Sequence, residues 1–225
     1  MKYIIGNWKS NKNHLEVEDW FQKFSQFFVK EKATSFNNLE IIVCPPYIHL
    51  FLTKNLRDKY KLPIKLGAQD ISPFDSGAYT GAISAKMLSE FVEYVIIGHS
   101  ERRTHFGEDD KILSQKVTMA KDASLEPIFC IPDKTSFIPD SISIIGYEPV
   151  WAIGTGKTDT PENADGVAVF VKQKNPGSAL IYGGSVNPEN ALNFLTTKHI
   201  DGILIGGASL DPIKFWEIIV NASKI

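Results

Sequence analysis

The chain has 225 residues, 43% of them apolar, and a formal net charge of −2, enough length for one large core or two small ones. That balance offers no basic field for nucleic acid and no charge steering toward a membrane. No apolar run approaches about 18 residues, the length that spans a bilayer, and the N-terminus carries no signal-peptide pattern. The two cysteines, Cys44 and Cys130, sit in apolar strand-like runs without metal-ligand spacing. Reduced thiols in a cytoplasmic protein without a metal are the expectation.

Tyr3–Gly6 reads as a short buried strand ending in Asn7, Trp8 and Lys9. Asn13, with Glu16 three residues on, has the capping-box pattern, and Val17, Trp20, Phe21, Phe24, Phe27 and Phe28 follow at helical spacing. Further strands are expected at Leu39–Val43, Ile64–Ala68, Tyr94–Gly98, Pro127–Ile131, Ser141–Tyr147, Ala179–Gly183 and Gly202–Gly206. Helices are expected at Tyr47–Tyr60 and at Ser84–Phe91, the latter with Met87, Leu88 and Phe91 on one face. Another opens at Glu108, Asp109 and Asp110 and carries Ile112, Leu113, Val117 and Ala120. Later starts fall at Thr160–Pro161, Asn187–Pro188 and Asp211–Pro212.

Eight short apolar strands alternating with helices predict parallel pairing buried on both faces. Such a chain closes into a (β/α)8 barrel or opens into a doubly wound sheet. No dinucleotide fingerprint follows the first strand, and polar residues follow many strands rather than one switch point, which favours the α/β barrel. No linker or low-complexity run divides the chain, so residues 1–225 are expected to form one domain. Between strands five and six lie only Pro132–Asp140, too few for a helical crossover. The helix there is expected to be absent or about one turn.

In a parallel barrel the C-terminal strand ends share one face, where active sites are built. Strand one brings Asn7 and Lys9 there, strand four His99, Ser100 and Glu101, and strand six Glu148. Strand seven adds Gly183, Gly184 and Ser185, and strand eight Gly206 and Gly207. Glu148, where a buried strand meets its loop, is partly desolvated and so a stronger base. Pro149 stiffens the chain after it, Gly154 and Gly156 can absorb large backbone changes, and Val150, Trp151, Ala152 and Ile153 make an apolar tip. That combination reads as a lid that closes over a ligand and expels water. Taken singly, each feature has a plainer meaning: a buried loop, a structural histidine, a solvated lysine, a tight glycine turn. Together on one face they point to acid–base chemistry beside an anion, with phosphate on the turns after strands seven and eight. Gly156, Lys157 and Thr158 imitate the end of a nucleotide P-loop, but Trp151 stands where its first glycine belongs. Neither Ser100 nor Ser185 has the pattern of a hydrolase nucleophile.

The segments Asn7–Lys9, Gly77–Gly81, Gly98–Arg103, Tyr147–Gly156, Tyr182–Asn187 and Gly206–Ser209 run through the whole chain in this order. Together they resemble the triosephosphate isomerase family. The resemblance implies a single-domain TIM barrel that interconverts dihydroxyacetone phosphate and glyceraldehyde 3-phosphate through an enediolate, without cofactor, in glycolysis and gluconeogenesis. It implies Glu148 as the base that moves a proton between adjacent carbons and His99 as a neutral imidazole moving protons between the oxygens, a pairing long established for that family. Lys9 would stabilise the enediolate and Asn7 orient both, with Glu101 and Ser100 in support. By the same correspondence Gly154, Ser185, Gly206 and Gly207 bind the phosphate, and Ile153 and Leu204 clamp the carboxylate. Thr155, Gly156 and Lys157 complete the lid, and Tyr182 hydrogen-bonds its closed form.

Tyr79 and Thr80 would insert beside Asn7 and Lys9 of a second copy, which implies a homodimer. The bare side of strands five and six offers a further contact, for a tetramer. The chain departs from the family in length, usually about 250 residues for such barrels, through the missing helix after strand five and a shortened helix after strand six. Ile131, Pro132 and Asp133 stand where the family reads Ile-Gly-Glu. Ala82 replaces a glutamate that meets an arginine, here Arg102, across the subunit interface. Two other functions fit part of the pattern: another phosphosugar barrel enzyme, or a barrel that binds phosphate or a partner without turnover. Base, lysine and histidine are all present, which favours the isomerase.

Overall fold

The computed structural model describes residues 1–30, 36–150 and 158–225. Its strands are β1 (Lys2–Asn7), β2 (Leu39–Cys44), β3 (Lys65–Ala68), β4 (Tyr94–Ile97), β5 (Glu126–Ile131), β6 (Ile144–Tyr147), β7 (Ala179–Tyr182) and β8 (Gly202–Ile205). All neighbours are parallel, in sequence order. β1 also pairs with β8, from Tyr3 opposite Gly202 to Gly6 opposite Ile205. An open doubly wound sheet lacks that last pairing; here it closes a (β/α)8 barrel.

The period-two alternation of the strands sorts their side chains into two layers. Ile5, Ile42, Ile96, Ile128, Ile144 and Ile181 meet inside the barrel with both cysteines. Ile4, Ile41, Val43, Val95, Ile97 and Ile203 belong to the outer core under the helices. Glycines make room for the thiols. A Cβ on Gly67 would lie 2.6 Å from Cys44 Sγ, and one on Gly146 3.1 Å from Cys130 Sγ. Both cysteines are free and buried.

Helix α1 (His14–Lys30) opens on the expected capping box: Asn13 Oδ1 accepts the Glu16 amide at 3.1 Å, and Glu16 Oε2 accepts the Asn13 amide at 2.7 Å. Its apolar face buries Trp20, stacked on Phe24 at 4.5 Å and 6.0 Å from Phe215 of α8 (Pro212–Ala222). Truncating an aromatic in such a setting costs about 3–5 kcal/mol, so this seam anchors the β1–β8 wall. Asp211 caps α8, accepting the Ile213 amide at 2.8 Å. The Tyr47–Tyr60 stretch divides into a 3-10 turn (Tyr47–His49) and α2 (Leu50–Lys59).

Four local expectations are corrected. Helix α3 covers only Ala85–Leu88; Ser84 caps it, and the chain turns at once, so Met87 points outward while Leu88 is buried. An unexpected helix, α4 (Ser100–Phe106), follows β4 before α5 (Asp110–Asp122); its polar sequence hides it from apolar periodicity. β6 begins at Ile144 rather than Ser141, whose φ of 60° is incompatible with a strand. After β7, Asn187 and Asn190 accept one another's amides at 2.9 Å and hold a turn, which delays α7 to Ala191–Leu195.

No helix lies between β5 and β6. Residues 132–143 form turns instead, tied to α5 where Lys121 Nζ donates to the carbonyls of Asp140 and Ser141 at 3.0 and 2.8 Å. Ile138 and Ile142 pack inward, and Phe137 stays 46% exposed. Helix α6 (Pro161–Lys174), capped by Thr160, runs 14 residues. Among the described residues no helix is long and apolar enough to cross a membrane.

Candidate active site

The C-terminal strand ends surround a cavity of about 690 Å³. Asn7, Lys9, His99, Glu148, Ser185, Gly206 and Gly207 all line it, with Leu204.

Glu148 directly follows β6. Its amide donates to Ile131 O at 2.8 Å, which prolongs the β5–β6 ladder by one residue, and the residue is 1% exposed. Oε2 accepts the Ser100 amide at 2.8 Å, and Oε1 lies 3.1 Å from His99 Nε2. His99 is the N-cap of α4, and its Nδ1 accepts the Glu101 amide at 3.2 Å. The 3.7 Å gap from Nδ1 to Glu101 Oε2 is too long to compete. A ring nitrogen that accepts an amide hydrogen carries none itself. The hydrogen-bond network therefore assigns the proton of a neutral imidazole to Nε2, facing Glu148 and the cavity.

Lys9 has φ 51°, a left-handed conformation that costs a residue with a side chain about 1–3 kcal/mol. Three bonds hold it there. Its amide donates to Asn7 Oδ1 at 3.0 Å, its carbonyl accepts from Gln69 Nε2 at 2.9 Å, and its ammonium meets Glu101 Oε1 at 2.5 Å. Gln69 also donates to Cys44 O at 2.9 Å, which fastens the β1 loop to the end of β2.

Two partners escaped the sequence reading. Gln69 stands just past β3, a strand-end signal that could have found it. Cys130, near the end of β5, is buried where the charge of Glu148 reaches it. Burial pushes its thiol well above the usual range, and the charge of Glu148 reinforces the shift.

In the turn after β7 the glycines leave little room for a side chain, whereas after β8 a Cβ on Gly206 would make only an ordinary contact and one on Gly207 would meet nothing within 4 Å among the described residues. A Cβ on Gly183 would lie 3.0 Å from Glu148 Cγ, and one on Gly184 only 2.1 Å from Tyr182 Oη. Gly206 leads into a 3-10 turn, Gly207–Leu210, and the first amides of such a turn have no acceptor within it. Among the described residues, no group of three or more His, Cys, Asp or Glu side chains is arranged to hold a metal ion.

The model of the family described as triosephosphate isomerase matches residues 2–137 and 138–222. The chain is 41% identical to the triosephosphate isomerase of Mesomycoplasma hyopneumoniae, over 98% of this chain and 99% of that protein. It is 37% identical to the triosephosphate isomerases of Dictyoglomus turgidum (97% and 98% covered) and Aquifex aeolicus (98% and 99%). The chain belongs to the triosephosphate isomerase family.

Of the residues that the likeness to triosephosphate isomerase singles out, Trp151, Ala152, Ile153, Gly154, Thr155, Gly156 and Lys157 lie outside the described residues. Of the lid, Pro149 is buried and Val150 is 52% exposed. Tyr182 is fully buried with its ring stacked on Phe194 at 3.9 Å, and its hydroxyl accepts the Asp159 amide at 3.1 Å. Burial pushes that phenol up to about 12. Tyr79 and Thr80 stand exposed in the loop after β3, with Tyr79 stacked on Phe74 at 4.3 Å. Arg102, which the resemblance would place at a subunit interface, is engaged inside its own chain. Its Nη2 lies 2.8 Å from Asp70 Oδ2 and its Nε 2.6 Å from Glu108 Oε1.

Proposed function

We propose that residues 1–225 act as one catalytic domain that interconverts dihydroxyacetone phosphate and D-glyceraldehyde 3-phosphate, the isomerisation that serves glycolysis and gluconeogenesis. One observation carries the assignment of roles: the Glu148 carboxylate and the His99 Nε2–H face each other at 3.1 Å beside a cavity that Lys9 also lines. In this scheme Glu148 takes the proton from the carbon next to the substrate carbonyl. His99 Nε2–H donates to the carbonyl oxygen as the enediolate forms, and the Lys9 ammonium offsets the growing negative charge. Glu148 then returns the proton to the neighbouring carbon. Asn7 holds the backbone of Lys9, the Ser100 amide steadies Glu148 between turnovers, and Glu101 keeps the ammonium at the cavity edge. Gly154, Ser185, Gly206 and Gly207 take the phosphate. Closure of residues 149–157, with Ile153 and Leu204 against the carboxylate and Tyr182 on the closed lid, keeps water from the enediolate. No cofactor enters any step.

A coupled assay of the purified protein with glyceraldehyde 3-phosphate, run beside Glu148→Gln, tests this scheme. Fast wild-type turnover that falls at least about 10²–10⁴-fold in the variant is the expected result. Comparable turnover in the variant would remove Glu148 as the base.

Self-association belongs to the same proposal, as a homodimer through Tyr79 and Thr80, with a tetramer through the face of β5 and β6 as its extension. Ile48, Phe51, Phe74, Tyr79 and Met87 expose apolar surface on loops and short helices after β2 and β3, as a buried interface would need. Light scattering that finds a fully active monomer at micromolar concentration would remove both assemblies. The cytoplasm is the proposed compartment, and the net charge of −2 supports a chain that binds neither nucleic acid nor membrane.

A further inference from the structure

Arg103 takes no part in the proton transfers, yet its side chain is only 19% exposed and turns back from α4 to the strand ends. Nε donates to Gly98 O at 2.8 Å and Nη2 to Cys130 O at 3.0 Å, while Nη1 lies 3.3 Å from Asp110 Oδ1. One planar fork thus ties the end of β4 to the end of β5, which a compact ammonium cannot do with the same geometry.

Both carbonyls adjoin the reacting groups. Gly98 immediately precedes His99 and has φ 76°, and a Cβ there would lie 3.0 Å from Arg103 Nη2 and 3.2 Å from Cys130 O. Cys130 stands one residue before the end of β5, whose last carbonyl, Ile131 O, accepts the Glu148 amide at 2.8 Å. The first two amides of α4 complete the link, since Ser100 N donates to Glu148 Oε2 and Glu101 N to His99 Nδ1. A tilt of that first turn would move base and imidazole together.

We propose that Arg103 is a positioning residue for the isomerisation: it locks the first turn of α4 against the ends of β4 and β5, so that Glu148 and His99 Nε2 meet the substrate in register. This rests on the isomerase reading above. The phosphate turns on β7 and β8 are untouched by the fork, so its loss disturbs the chemical step and spares binding. Misplacing reacting groups by about 1 Å costs about 10²-fold in rate.

The test compares wild type, Arg103→Lys and Arg103→Ala in the coupled assay, with circular dichroism to verify folding. Both variants are expected to lose about 10–10²-fold in kcat with KM nearly unchanged. Sub-denaturing guanidinium should restore kcat to Arg103→Ala and leave Arg103→Lys as it was. Wild-type kcat in folded Arg103→Lys would overturn the proposal, because charge alone would then suffice. So would a loss that appears wholly in KM, or a lowered melting temperature with kcat intact. Should Arg103→Ala fail to fold, the kcat and KM of Arg103→Lys decide. A folded wild type without turnover would instead overturn the isomerase reading itself.

Discussion

Helix α4 contributes to two buried charge clusters that are built differently. In one, Lys116 reaches Asp70 and Glu108 at 2.5 Å each, and Arg102 spans the same two carboxylates. Two cations answer two anions. In the other, Glu148 is at least as deeply buried, yet its partners are an amide and an imidazole. Lys9, which lines the same cavity, spends its ammonium on Glu101. Burial pushes the Asp70 carboxyl up despite its two cations, but the ion pairs lock it in place as part of the scaffold. A carboxylate held by an amide and an imidazole, with no cation locked against it, can leave its partners for a substrate, as the proposed proton transfer needs. The contrast separates the ion-paired cluster from the carboxylate proposed as the base within one short stretch of chain.

The largest effect should come from unbalancing the structural cluster. Lys116→Met leaves Asp70 and Glu108 sharing Arg102, and the expected cost is about 3–5 kcal/mol of folding free energy, read from urea unfolding. Glu148→Gln, which removes no balanced charge, should stay within about 2 kcal/mol of wild type in the same experiment. Equal losses in the two variants would erase the distinction. A smaller effect tests how loosely Glu148 is held. Gly183→Ala places a Cβ 3.0 Å from Glu148 Cγ and 3.2 Å from Tyr147 O, and should lower kcat by about 10–10²-fold through displacement of the carboxylate. An unchanged kcat would mean that the side chain has room to spare.

The smallest effect comes from a half-exposed pair on the opposite side of the barrel. Asp165 Oδ2 lies 2.9 Å from His199 Nδ1, and Asp165 Oδ1 accepts the His199 amide at 2.8 Å. Burial pushes the Asp165 carboxyl up, but its hydrogen bonds to His199 outweigh this and leave it below the usual 3.8. A depressed carboxyl stabilises the fold above its unfolded value, and that contribution is lost as the pH falls from 3.8 through the lower folded value. Asp165→Asn should therefore be less stable than wild type at neutral pH, by no more than about 1 kcal/mol. The gap should close in acid. A gap that persists below that window would assign the effect to packing rather than charge.

Much of the fold was legible because its signals are local. The Asn13–Glu16 box, the prolines at 161 and 212 and the apolar strand runs each act within a turn or two, and each marked an element that formed. The misses have local causes too. The seven residues of α4 carry no apolar stripe, and the Asn187–Asn190 exchange competes with a helix start that Pro188 seemed to promise. The strand-end residues Asn7, Lys9, His99 and Glu148 were legible as a set because parallel strands put all their C-terminal ends on one face. Their partners were not. Gln69 and Arg103 bond to carbonyls of different strands and their loops, and nothing in their immediate neighbours announces which carbonyl each will meet.

From its sequence alone, the chain determined eight buried strands, most of the helix caps and a polar set at the strand ends. The tertiary structure decided closure, through the pairing of β1 with β8. It also decided which groups meet across the barrel mouth, the Ser100 amide with Glu148 and Gln69 with Lys9. Periodicity and capping depend on neighbours a few residues apart. The distance between two strand ends depends on the register of every pair between them, and that is set only when the barrel shuts.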